Sequence, residues 1–424
     1  MRLLHTSDWH LGQHFFTQSR LKEHQLFIDW LCDTVVSQSV DAIIVAGDVF
    51  DTGSPPSYAR ELYNQFVVRM HKLDCQVVIL AGNHDSVAVL QESQQLLAYL
   101  NTSVITNASD DYDQQLVELR DNNGELGAVV CAVPFLRPRD VISQNQGISA
   151  QQRQLDLSQA ISAHYLSLYQ HAAERRDKHN PSAPIIGTGH LTTLGVSQSE
   201  SVRDIYIGTL EGFASTEFPP FDYLALGHIH RPQRVSKNSN FRYSGSPIPL
   251  SFDEATTQKS VVIIDCNEQC QTTLHDIPVF RPLISLSGDL TEIESSINAL
   301  EDSTLTTWLS ISVSSVEQYS DLQAKIYAML EPLNADVLRI QRQISSSTAD
   351  SEVIEHSLDE LLPLDVFERK LNQQLADDMT DVHKQRIERV TKQFNDILNQ
   401  VETSQQDDPT SNIAADAPKQ GTNK

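Results

Sequence analysis

The sequence predicts an α/β protein: sheets clad in helices over residues 1–278, then a small α/β module, then further helices. Three observations carry that expectation. Short Val/Ile runs recur, each ended by Gly and a polar residue: Asp41 to Ala46 before Gly47-Asp48, and Val77 to Ala81 before Gly82-Asn83-His84-Asp85. Such runs read as parallel strands buried on both faces. Stretches of helical period alternate with them. Finally, 424 residues with 40% apolar and 21% charged side chains suit a chain of two or three domains with a sizeable core.

The elements follow in order. Arg2-Leu3-Leu4 opens a strand that ends at Asp8-Trp9-His10. In Leu21 to Val36, residues Leu21, Ile28 and Val35 are seven apart and Phe27 and Leu31 fill the same face, an amphipathic helix. After the strand at Asp41 to Ala46, Pro55-Pro56 opens a helix through Met70, since a missing N–H costs nothing in a first turn. The strand Val77 to Ala81 leads to a helix from Val87 to Leu100. This βαβαβα order implies a parallel sheet with right-handed crossovers. From Leu116 the strands shorten, with a turn at Asp121-Asn122-Asn123-Gly124 and a strand from Ala128 to Val133. Gln151 to Lys178 reads as one long helix. Strands return at Ile185 to His190, Asp222 to His230, Phe241 to Pro249 and Val261 to Asp265, giving a β-sandwich with helices outside.

Arg281-Pro282 marks a boundary. Residues 281–344 then read as a small α/β domain, with strands at Leu283 to Leu286, Leu309 to Val313 and Val337 to Ile340, and helices at Ile293 to Leu300 and Leu322 to Leu330. Residues 345–402 begin with the linker Ser345 to Glu352 and continue as two helices, Asp365 to Leu375 and Asp381 to Val401. Ile387, Val390, Phe394, Ile397 and Val401 form a stripe that needs a partner, because so small a helical pair cannot stabilise itself. Residues 403–424 are polar, lack aromatics and read as a disordered tail.

Charge and cysteine usage bound the function. A net charge of −25 opposes simple nucleic-acid binding by this chain alone, because phosphate neutralisation supplies most of such affinity. Metal ions or a partner would have to supply positive charge. Five cysteines sit mostly within apolar runs and form no even framework, which fits a reducing cytoplasm. Cys266 and Cys270 lack a second pair for zinc. No secretory signal or 18-residue apolar segment is visible, so a cytoplasmic chain that spans no membrane is expected.

Five strand ends carry Asp, His or Asn: Asp8/His10, Asp48, Asn83, Gly189-His190 and Gly227-His228-Ile229-His230. One such dipeptide alone would be noise; five in this context read as a metal centre. The expected division is Asp8, His10, Asp48 and His230 around one ion, and Asp48, Asn83, His190 and His228 around a second, with Asp48 bridging. Carboxylate, amide and imidazole ligands without thiolate favour manganese or a similar divalent ion. Two such ions would clamp the attacking and leaving oxygens of a phosphoryl centre. His84, beside a ligand, is the candidate general acid, and Asp51 is placed to orient its imidazole. The remaining histidines, His5, His14, His24 and His71 among them, read as core or helix-surface residues. Arg137 to Asp140 and Arg203 to Gly208 suggest no mechanism.

With these residues in view, the chain resembles the calcineurin-like metallophosphoesterases. Their Asp-x-His, Gly-Asp-x-x-Asp, Gly-Asn-His-(Asp/Glu), Gly-His and Gly-His-x-His motifs occur here in order. Longer matches run through His5 to Gly12, Ala46 to Pro56, Ala81 to Val87, Pro134 to Asp140, Gly189 to Thr193, Val202 to Leu210, Leu226 to Arg231 and Gly245 to Glu254; beyond residue 254 the likeness rests on the order of parts. The resemblance implies a four-layer phosphoesterase sandwich and, in its bacterial DNA-processing branch, a manganese-dependent nuclease that trims double-stranded ends, opens hairpins and cuts single strands. It also implies an SMC-family ATPase partner that binds the ATP and receives the C-terminal helices, a homodimer within a heterotetramer, and a capping role beside DNA for residues 281–344. No Gly-Lys pair of a P-loop occurs in this chain. Eukaryotic and archaeal members carry a histidine where Asp51 stands.

Two other readings compete. A phosphatase of the same fold would show Gly-Asp-x-Val-Asp-Arg-Gly and Gly-Asn-His-Glu; Thr52 replaces that Arg and Asp85 that Glu. A non-catalytic scaffold would have lost ligands, and none is missing.

Overall fold

The computed structural model describes residues 1–343 except 122, 138–139, 141–149, 203–211, 237–239, 268–269, 302, 315–321 and 332. The expected linker, C-terminal helices and tail lie outside the described residues, as does Arg203 to Gly208.

The strands of the first half are β1 (Arg2–Thr6), β2 (His14–Phe15), β3 (Gln18–Ser19), β4 (Ala42–Val45), β5 (Gln76–Leu80) and β6 (Thr102–Ile105). Then come β7 (Leu116–Arg120), β8 (Leu126–Cys131), β9 (Ile185–His190), β10 (Tyr223–Gly227), β11 (Gln233–Arg234) and β12 (Phe241–Tyr243). The hairpin β13 (Ser260–Cys266) and β14 (Cys270–Asp276) follows. They form two six-stranded sheets, ordered β14-β13-β1-β4-β5-β6 and β11-β12-β10-β9-β8-β7, besides the small hairpin β2-β3. In the first, β1, β4, β5 and β6 are parallel and β13 joins antiparallel to β1. In the second, β8, β9, β10 and β12 are parallel, with β7 and β11 antiparallel at the edges.

Strand periodicity explains the layering. Along β4, Ala42 and Ile44 enter the core between the sheets, while Ile43 and Val45 pack beneath helices Leu21–Gln38 and Ser57–Lys72. The second sheet is covered on its outer face by helix Ala150–His179, which contributes Leu157, Ile161, Tyr165 and Leu168. Helix, sheet, sheet, helix is the four-layer arrangement expected. Sequence and structure part in places. The expected helix Val87 to Leu100 is two short ones, Val87–Gln91 and Gln94–Ala98, broken at Glu92-Ser93, where serine is a poor helix interior residue. The outer strand β14 was not anticipated: as a sheet edge it is largely solvated and carries no continuous apolar run.

Beyond Arg281, β15 (Leu283–Gly288), β16 (Thr307–Ser314) and β17 (Ala335–Gln343) form a three-stranded parallel sheet. Helices Leu290–Asn298 and Leu322–Leu330 bury Ile293, Ile297, Ile326 and Leu330 against it. Asp289 caps the first helix, accepting from Thr291 and Glu292 N–H at 2.9 Å.

Candidate metal centre

The polar residues at the carboxyl ends of β1, β4, β5, β9 and β10 converge on one pocket, where two sheets of parallel strands both present their C-terminal edges. The loops are zipped together by backbone. Asp8 N–H donates to Gly47 O (3.0 Å), His10 N–H to Asp48 O (3.1 Å) and Leu11 N–H to Val49 O (2.9 Å). Asp8, His10, Asp48 and His228 have φ of 54°, 47°, 49° and 92°. Such left-handed backbone is uncommon outside glycine and persists where surrounding contacts enforce it, often at functional sites. Gly82 has its own reason: a Cβ there would stand 2.1 Å from Asp48 Oδ1.

Three donor groups form, one of which, His10, Asp48 and His84, shares a member with each of the other two. The ligand atoms of Asp8, His10 and His230 lie within 4.8 Å of one another, as do those of Asp48, His190 and His228. Asn83 Oδ1 joins the second, 3.0 Å from His190 Nε2 and 3.1 Å from His228 Nδ1. Asp48 Oδ2 lies between them, 3.2 Å from His190 Nε2 and 3.6 Å from His10 Nε2. His190 Nδ1 must donate to the Ala46 carbonyl (2.8 Å), which leaves Nε2 to face the pocket. His10 Nε2 is buried without a hydrogen-bond partner, as a nitrogen intended for a cation would be. The donor set therefore fits divalent ions.

Electrostatics agree. Burial alone would lower the His10 imidazole, but the Asp51 hydrogen bond and the charges of Asp48, Asp51 and Asp8 raise it to about 9. His190 is raised to about 9, burial being overcome by Asp48 and Asp8. Asp48 is held well below the carboxylate range, burial notwithstanding, by His190, His84 and His10. Burial and the charge of His190 push His228 down to about 3. Protons on buried imidazoles thus balance carboxylate charge where a bound cation would do so instead.

His84 and Asp51 are adjacent, with a division of labour the sequence did not reveal. His84 Nδ1 donates to the main-chain carbonyl of Asp51 (2.8 Å), whereas the Asp51 carboxylate stands 3.1 Å from His10 Nδ1. His84 N–H donates to Asp48 Oδ1 at 2.9 Å. Two further roles were not foreseen. The buried Asp85 carboxylate accepts from Val49, Phe50 and Gly82 N–H (3.1, 2.9 and 2.8 Å), knotting two of the loops. Burial and nearby Asp48 outweigh those bonds and raise it to about 6. Glu254 lies behind His230, 3.5 Å from its Nδ1. A final Asp in Gly-Asn-His-Asp was the available signal for the first; for Glu254 it was its place at the end of the Gly245 to Glu254 match, which assigns it no role.

The fold and pocket define a metal-dependent phosphoesterase, and the chain belongs to the calcineurin-like phosphoesterase family, whose sequence model matches residues 1–232. A second family model, described as the type 5 capsule protein repressor C-terminal domain, matches residues 279–374. Among individual proteins, the chain is 45% identical over 395 residues to the SbcD component of the nuclease SbcCD from Escherichia coli K12, covering 92% of this chain and 96% of that one. It is 30% identical to the component of the same name from Bacillus subtilis 168, over 76% of this chain and 81% of the relative. The Rhodobacter capsulatus protein of that name is 34% identical over 62% and 66%.

Proposed function

We propose that this chain is the nuclease subunit of an SbcCD-type DNA repair complex, hydrolysing DNA phosphodiesters with two divalent ions, manganese in preference. The observation that carries the reading is Asp48 Oδ2, one oxygen within reach of imidazoles from both donor clusters. Asp8, His10, Asp48 and His230 would hold one ion, and Asp48, Asn83, His190 and His228 the other. When bound, the ions supply Lewis-acid activation of the phosphoryl group and of the attacking water. The chain's own residues supply position and protons. Because His84 Nδ1 is committed to the Asp51 carbonyl, the proton it delivers to the leaving oxygen is the one on Nε2. The Asp51 carboxylate orients His10 rather than acting at the reaction centre.

The substrates in this reading are double-stranded ends (exonuclease), hairpins and single strands (endonuclease). Residues 1–278 form the nuclease domain and 281–344 a capping domain beside DNA. Residues 345–402 are a linker and helical arm that docks on an SbcC-like SMC-family ATPase, which binds the ATP and offsets the −25 charge; 403–424 is a tail. The assembly is a homodimer of this chain within a heterotetramer. No helix among the described residues is long and apolar enough to cross a membrane, which suits a cytoplasmic repair enzyme. The test is cleavage of end-labelled hairpin DNA by the purified chain, alone and with the ATPase, with manganese and ATP. Opening should require manganese and be strongest with partner and ATP together; metal-independent opening, or none under any condition, rejects the reading.

A further inference from the structure

Behind the pocket lies a buried polar network that the proposed mechanism does not use. Glu254 is fully buried, yet its carboxylate is surrounded by donors. Oε2 accepts from Lys259 Nζ (2.7 Å) and Leu250 N–H (3.1 Å), with Ser246 Oγ, whose proton goes to Ile248 O at 2.9 Å, standing 3.3 Å away. Oε1 accepts from Ser199 Oγ (2.7 Å) and Ser201 Oγ, while Ser251 Oγ, 3.3 Å away, gives its proton to Asp253. Lys259, itself buried, directs its other two N–H bonds to Ser246 Oγ and the His230 carbonyl, both at 2.9 Å. A charged pair kept inside a core costs several kcal/mol of desolvation per ion and is weak evidence of stability for its own sake. Its placement around one histidine is the informative feature.

Counting hydrogens gives the direction of the chain. A serine hydroxyl has one proton. Ser201 Oγ lies against Glu254 Oε1, which can only accept, and 2.6 Å from His230 Nδ1. With its proton given to Glu254, the Ser201 oxygen must accept from Nδ1–H. We propose that Glu254, acting through Ser201, is a positioning residue that holds His230 as the Nδ1–H tautomer, leaving Nε2 unprotonated toward Asp8 and His10. Lys259 keeps Glu254 an anion and grips the His230 main chain, so both ends of the residue are fixed. The inference rests on His230 serving as a ligand.

The tautomer is measured in metal-free protein by nitrogen-15 NMR of labelled histidine, with His230→Gln for assignment. Manganese affinity and stoichiometry are measured by calorimetry. Wild type should show His230 protonated at Nδ1. Ser201→Ala should lose that signature and weaken one of two manganese sites about 10–100-fold, the usual effect of removing an outer partner of a ligand. Ser201→Thr, which keeps the hydroxyl, should restore both. Glu254→Gln should go further: an amide NH₂ facing Ser201 reverses the chain and puts the proton on Nε2. An unchanged tautomer and affinity in Ser201→Ala overturns the inference even if Glu254→Gln does not fold. If wild type binds no manganese while the tautomer responds as stated, the ligand reading fails and the positioning chain stands.

Discussion

Two buried charge clusters adjoin the first turns of helix Leu21–Gln38, and they are finished in opposite ways. In one, Glu23 lies between two guanidiniums, 2.8 Å from Nε of both Arg20 and Arg281. Arg20 also donates to Pro249 O (3.0 Å) and Arg281 to Thr306 O (2.6 Å). The surplus positive charge rests on aromatic faces: Arg281 stands 4.1 Å from the Trp308 ring centre, and Arg20 5.2 Å from Phe15. This cluster is balanced by groups of the protein alone, although Arg20 Nε makes no hydrogen bond, and it ties the phosphoesterase layers to the β15–β17 module. In the other, Asp8, Asp48 and Asp51 meet five imidazoles, and His10 Nε2, 3.6 Å from Asp48 Oδ2, has no hydrogen-bond partner. In the proposed function that cluster is completed by ions from solution. Burial of charge is common to both; what separates structure from function is whether the protein supplies the last counter-charge itself.

The largest expected effect breaks the open cluster. Asp48→Ala removes the one oxygen shared by both donor sets, so neither manganese should remain in calorimetry and DNA cleavage should fall to background. In wild type, manganese at a hundredfold excess over Kd should add about 2.7 kcal/mol to folding stability by mass action for each of the two sites, and the variant should gain none. Two manganese ions still bound by the variant would refute the bridging role. His84→Gln comes next. It leaves the seven proposed ligands intact, so metal stoichiometry should hold while hairpin cleavage drops roughly 10²- to 10⁴-fold. Undiminished cleavage would remove His84 from the proton transfer.

Legibility followed the same divide. The strand ends stood out because short apolar runs, all but the first of them ended at a Gly, leave little else for the next polar residue to do than to face the sheet's edge. Asp8, His10, Asp48, Asn83, His190, His228 and His230 could therefore be gathered from five distant points. What sequence could not convey was which atom of a residue acts. Asp51 reaches His84 through its carbonyl and His10 through its carboxylate, a choice set by loop geometry alone. Ser201 and Lys259 escaped notice because they come from irregular segments without period or motif, and Glu254 because the match that ends on it says nothing of what its carboxylate touches. The Arg20–Glu23–Arg281 cluster was hidden for another reason: its members are up to 261 residues apart in sequence, and an (i, i+3) Arg/Glu pair normally marks a solvated helix face.

The closed cluster should fail differently. Glu23→Ala strands two guanidiniums in the core, and loss of one partner in such a network costs about 3–5 kcal/mol. Urea denaturation should show that loss while manganese affinity stays at the wild-type value. A matching fall in metal affinity would mean the two clusters are not separate units.

The smallest effect tests the residue between them. His24 is fully buried, and its imidazole is pushed down to about 3, first by burial and then by the charges of Arg20 and His10, one from each cluster. The unfolded chain takes up a proton on this residue below about pH 6.5 and the native state refuses it until about pH 3. Stability is therefore lost as pH falls through that window, at most about 1.4 kcal/mol per pH unit for one proton. Urea midpoints at several pH values should give a shallower slope for His24→Gln than for wild type. Equal slopes would mean that His24 is protonated in the native state, and that the open cluster's negative charge reaches further along the helix than its neighbours allow.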